Sequence, residues 1–119
     1  MKIKLVQLKN AEKSFEKLFS LDLPISTSYV LTKLSKQVTE ELNNIETARE
    51  KLVKKYGKED EDGNINVLPD KMEEFAKEYS ELLNVEVELD FQPVNFRLDS
   101  EIKLSTTDLV LLDGFIVPI

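Results

Sequence analysis

The chain has no cysteine, no histidine and no tryptophan in its 119 residues. Without Cys there is no disulfide and no thiolate nucleophile. Without His there is no imidazole base, no Ser-His pair and almost no route to a zinc site. Catalysis would fall to Asp, Glu, Lys, Tyr, Ser or Thr, and no nucleophile–base pair among them can be named. Glycine is scarce too. Gly57, Gly63 and Gly114 stand apart and build neither common phosphate-cradling loop. Hydrophobic runs are short, far below the roughly 18 residues that span a bilayer. The start, Met1-Lys2-Ile3-Lys4-Leu5, alternates and lacks the apolar centre of a signal peptide. These absences lead to the expectation of a single cytoplasmic domain over residues 1–119, with no enzyme activity, no cofactor, no metal and no membrane partner.

Charge is abundant, at 33% of residues, and the net value is −7. It is unevenly divided. Residues 1–58 carry twelve Lys and Arg against seven Asp and Glu, whereas 59–119 carry four against sixteen. The overall acidity argues against non-specific duplex DNA binding. The two halves can attract each other within one chain or between chains.

Residues 26–56 contain neither Gly nor Pro, and Leu31, Val38, Ile45 and Leu52 recur every seven positions. Leu34, Leu42, Ala48 and Tyr56 widen that row into an apolar stripe, the pattern of one long amphipathic helix. Ser26, Thr27 and Ser28 offer it an N-cap, and Gly57 offers a left-handed C-terminal stop. At 1.5 Å per residue the helix is about 46 Å long. A compact domain of this size is only about 35 Å across. The overhang calls for cover from another chain, hence a homo-oligomer, with a dimer favoured by closed symmetry.

The remaining segments are short. Residues 2–8 alternate and predict an edge strand, followed by a helix over 11–20 capped by Asn10 and broken by Pro24. Residues 58–68 form a polar connection with a tight turn at Asp62-Gly63 and a small hairpin through Ile65 and Val67. Its acidic run resembles a calcium loop only superficially. Aligning Gly63 with the loop's glycine puts Lys58 and Pro69 where ligands are required. Asp70 and Glu73 suggest a capping box for a helix running to Asn84. Met72, Phe75, Ala76, Tyr79, Leu82 and Leu83 give that helix an apolar stripe that can pack antiparallel on the long helix, with Phe75 facing Ile45. Val85, Val87, Leu89 and Phe91 alternate with Glu86, Glu88 and Asp90, a half-buried strand whose acidic face reads as solvated. After Pro93 the phase shifts, and Val94, Phe96 and Leu98 predict a hairpin partner or a bulged continuation. Ser105 and Asp108 form a capping box for a short helix over 106–113, and the apolar tail from Phe115 should dock on the core or a neighbour. The expected fold class is α+β: a long helix paired antiparallel with a shorter one, a small antiparallel sheet and a short C-terminal helix.

Arg49, Lys51, Lys54 and Lys55 crowd the last turns of the long helix, where cations complement its dipole. The functional reading of the same cluster is an anion site, with Arg49, Lys51 and Lys55 as cations and Tyr56 stacking on a ring. Arg49 and Lys55 stand about 240° apart around the helix axis, so one small anion would meet both only across two chains.

Three stretches, "AREKLVKKYG", "KEDEDGNI" and the pair "ELLNVEVEL" with "LSTTDLVLLDGFI", resemble small, largely uncharacterised phage and prophage proteins of Gram-positive bacteria. The resemblance covers the chain from about residue 45 onward. It implies a phage or prophage origin, and hence action in the host cell cytoplasm. The function expected is non-enzymatic capture of a host component: a counter-defence protein that sequesters a host protein or an anionic nucleotide signal. The alternative is a structural or assembly role in the virion, as a chaperone or connector.

Overall fold

The computed structural model describes residues 1–97 and 102–118. Strand β1 (Lys2–Lys4) leads into helices α1 (Leu5–Asn10) and α2 (Glu12–Phe19), and then the long helix α3 (Ile25–Tyr56). A hairpin of β2 (Gly57–Glu59) and β3 (Ile65–Val67) follows. A single 3-10 turn, Pro69–Lys71, then opens helix α4 (Met72–Leu83). Strands β4 (Glu86–Glu88) and β5 (Val94–Phe96), helix α5 (Thr106–Leu111) and strand β6 (Ile116–Pro118) complete the chain. The fold is α+β, a helical hairpin of α3 and α4 dressed, among the described residues, by three two-stranded sheets and a short C-terminal helix.

Helix α3 has 32 residues, about 48 Å at 1.5 Å each, and the molecule measures 50 × 30 × 24 Å. The long helix thus sets the long dimension. The radius of gyration is 17.4 Å, against about 13–14 Å for a compact chain of this length. Its apolar stripe is buried where expected, at Leu31, Leu34, Val38 and Ile45. The chain itself covers much of the stripe for which cover by a second copy was expected. α4 lies along the C-terminal half, and α1, α2 and β5 pack on α3 as well. Off that stripe, at the N-terminal tip of α3, Ile25 is 86% and Tyr29 67% exposed.

Several local expectations are corrected. The edge strand stops at Lys4, because Gln7 folds back to accept the Lys4 N–H at 2.9 Å and the chain turns helical. Asn10 ends α1 and does not cap α2. Ala11 occupies that position, with its N–H bonded to Gln7 O, so the two helices run nearly head to tail. The Ser26 cluster does not cap α3, since Pro24 takes the N-cap position and no side chain bonds there. Asp70 makes no capping bond either, because Pro69 starts a 3-10 turn ahead of α4. Phe75 is only half-buried and lines a surface groove with Val53, whereas Ile45 is 1% exposed.

The sheets also differ from the sequence expectation. β4 pairs antiparallel with β1, setting Lys2 opposite Glu88 and Lys4 opposite Glu86. The acidic strand face is thus matched by basic residues from the other end of the chain, a favourable cross-strand arrangement. β5 is neither a hairpin partner of β4 nor its continuation. It pairs in parallel with β6, Val94 opposite Ile116. Leu98 and Asp99, the end of that expected strand, lie outside the described residues.

Gly57 does not take the left-handed conformation expected of a helix stop. Its φ of −114° and ψ of 173° are extended, and it begins β2. The position needs glycine for space. A Cβ there would collide with Val53 O and lie 2.8 Å from Asn66 O, both backbone atoms that cannot swing aside. Gly57→Ala should therefore destabilise the protein by about 1–3 kcal/mol, the usual range for overpacking. Urea denaturation measures it, and an unchanged midpoint would mean that the hairpin shifts freely off α3.

A cationic groove where helix α3 meets the β2–β3 hairpin

The acidic connection is built around Asp60. Its carboxylate accepts the N–H groups of Asp62 and Asn64, each at 2.9 Å, and the side-chain amide of Asn66 at 3.2 Å. Gly63, at φ +82°, closes the turn. This is an aspartate-organised turn of the kind that short polar side chains favour. It fixes β3 in register with β2, Lys58 opposite Asn66, and brings β3 back across α3.

A groove of about 570 Å³ opens there. Helix α3 contributes Arg49, Glu50, Val53 and Lys54. β3 contributes Ile65, Asn66 and Val67, and α4 adds Met72 and Phe75. The size is within the range of ligand pockets. The lining is largely apolar with cations among it, and the exposed Leu68 lies next in sequence to β3.

Of the four residues expected to form an anion site, Arg49, Lys51, Lys55 and Tyr56, only Arg49 lines this groove. Its guanidinium forks onto Glu46 one turn back, with Nη2 2.7 Å from Oε1 and Nε 3.1 Å from Oε2. That bidentate bond holds the Glu46 carboxylate below its ordinary pKa. Lys55 points to α4 and donates to Glu78 Oε1 at 3.0 Å, with its ammonium 5.1 Å from the centre of the Tyr56 ring. The contact with Glu78 raises the Lys55 pKa and lowers that of Glu78. Lys55 is exposed and Glu78 half-buried at the surface, so the pair is worth little in stability. Tyr56 is half-buried, and Lys51 is exposed on another face of the helix.

The four residues therefore do not converge in one chain, as the angular spacing along the helix implies. Lys54 does line the groove, and among the described residues no carboxylate lies within ion-pair distance of it. The helical spacing of Arg49, Val53 and Lys54 carried part of this signal. The contribution of Ile65 and Val67 depends on the hairpin folding back, which no local pattern discloses.

No family model, curated protein or solved structure matches this chain. Among the described residues no helix is long and apolar enough to cross a membrane.

Proposed function

We propose that this chain is a non-enzymatic binding protein that captures a host component in the groove between α3, β3 and α4. The observation that carries the reading is the groove itself, a largely apolar lining that includes Arg49 and Lys54, the latter without an ion-pair partner among the described residues. The resemblance to phage proteins makes a counter-defence role the natural setting: a protein made in the host cytoplasm to sequester a host protein or an anionic nucleotide signal. Arg49 and Lys54 would meet the negative charge, and Val53, Met72 and Phe75 the apolar part. Lys51, Lys55 and Tyr56 would contribute only from a second copy.

Native mass spectrometry of protein expressed in a Gram-positive host tests this. A species retained by the folded protein and released by Arg49→Glu or Lys54→Glu is the expected result. Retention unaffected by either substitution, or no retained species with no host component bound in pull-down, would sink it.

A virion assembly role is favoured by one observation, the exposed Ile25, Tyr29 and Val30 at the start of α3. Such a patch suits contact with another copy or another virion protein, and is where a homo-oligomer would form. Presence of the chain in purified particles would support that reading over capture.

A further inference from the structure

Among the described residues, strand β3 has a neighbour on one edge only, β2. The bonds Leu68 N–H to Tyr56 O and Asp60 N–H to Asn64 O bracket the β2–β3 ladder. In an antiparallel pair the hydrogen-bonded positions alternate, so Lys58 and Asn66 exchange the bonds between them. The N–H and C=O groups of Ile65 and Val67 must then point away from β2. Among the described residues nothing bonds to them. Both residues line the groove. Natural edge strands are guarded by shortness, a lysine, a proline or a bulge; Ile65-Asn66-Val67 carries no lysine or proline, and its three residues leave room for a short pairing only.

We propose that this edge binds an extended peptide by strand addition, with the peptide lying in the groove between β3 and α4. This rests on the reading of the groove as a capture site and names its ligand as a segment of protein. Two peptide residues, two apart, pair with Val67 and Ile65 and make four backbone hydrogen bonds. Side chains of directly paired residues share a face of the sheet. The two peptide side chains therefore lie on the Ile65 and Val67 side, where Val53, Met72 and Phe75 favour branched apolar groups. The residue between them shares the Asn66 side and is polar. Arg49 is held by Glu46, so Lys54 is the lining cation with no ion-pair partner among the described residues, and a peptide carboxylate that reaches Lys54 is preferred. A phosphate accepts from N–H groups but offers no donor to the two C=O groups, whereas a peptide strand meets all four, which is why the peptide is the better occupant.

The probe is the capped pentapeptide Glu-Val-Thr-Val-Glu, titrated into isotope-labelled protein and followed by amide chemical shifts. Saturable shifts at Val53, Ile65, Asn66, Val67, Met72 and Phe75, with a dissociation constant on the order of 1 mM or tighter, are expected. The same peptide N-methylated at both valines should bind at least about tenfold more weakly, because its donors to the edge are gone. Lys54→Glu should weaken binding about tenfold, and exchanging the peptide's Glu for Lys should restore it. Val67→Pro removes an edge donor while leaving the Lys58–Asn66 pair in place, and should abolish the shifts in a variant that still melts cooperatively. Equal binding of the N-methylated peptide overturns strand addition and leaves the capture site standing. Shifts at these residues with ATP but not with the peptide do the same. Silence from both, together with no retained host species, overturns both readings.

Discussion

Phe15→Ala should cost about 3–5 kcal/mol, the range for removing a buried phenylalanine. Phe15 is 1% exposed. Its ring stacks on Phe19 at 5.6 Å between centroids and meets the edge of Phe115 at 4.9 Å. Such pairs add about 0.5–1.5 kcal/mol beyond the area they bury. Phe115 in turn lies 6.5 Å from Phe91, and its carbonyl accepts the Val94 N–H at 3.0 Å. The cavity would thus open at the junction of α2, the segment after β4 and the C-terminal strand pair, and those rings cannot close it without breaking β5 from β6. Against a typical total of about 5–15 kcal/mol, the loss is a large share of the stability. Urea denaturation with circular dichroism reads it. A cost below about 1.5 kcal/mol would mean that the aromatic cluster collapses easily and is not the keystone of this end of the molecule.

Asp108→Ala should lower Tm on the order of 10 °C, reflecting loss of several bonds at once in a domain of this size. Asp108 is buried and its carboxylate is fully engaged. Oδ1 accepts the Ser14 hydroxyl at 2.7 Å, and Oδ2 accepts the Ser105 N–H at 2.9 Å and the Lys17 ammonium at 3.0 Å. Its own N–H donates to Ser105 Oγ at 3.1 Å, which completes the capping box of α5. One side chain therefore both starts α5 and ties it to α2. The hydrogen bond from Ser14, then that from Ser105, hold the Asp108 pKa well below its ordinary 3.8. A depressed carboxylate stabilises the fold fully at neutral pH. Its contribution begins to fade as pH falls past the ordinary value and is lost on further acidification. Asp108→Asn keeps the shape and removes the charge. The gap in Tm between the parent protein and Asp108→Asn should be widest at pH 7 and narrow steadily below about pH 4. Two parallel curves from pH 7 to pH 2 would show that the carboxylate's charge plays no part in holding α5.

The same residue marks how far the sequence could be read. Ser105 and Asp108 are three apart, and that spacing was enough to place the cap of α5, because a capping box is made by neighbours. Ser14 and Lys17 lie more than ninety positions away, and nothing local in either segment announces the other. The hairpin at Gly63 was legible for the first reason. β1 pairing with β4, and β5 with β6, was not, for the second.

By itself the sequence determined the long helix, its apolar stripe, the shorter partner helix, the acidic turn and the α+β class. Each of these rests on periodicity or on the chemistry of adjacent residues, and both survive whatever the rest of the chain does. It also determined that Arg49 and Lys55 could not converge in one chain, since helical geometry fixes the angle between them. Only the tertiary structure decided which strands pair, which carboxylate each cation meets, and that α1 and α2 bury Leu31, Leu34 and Val38 beneath them. The groove belongs to the same class. Val53, Ile65, Val67, Met72 and Phe75 come from three elements, and they share a surface only because Gly57 lets the hairpin backbone close on α3. Which backbone groups of β3 point away from β2 follows from the register of the pair, and register is settled by pairing between strands.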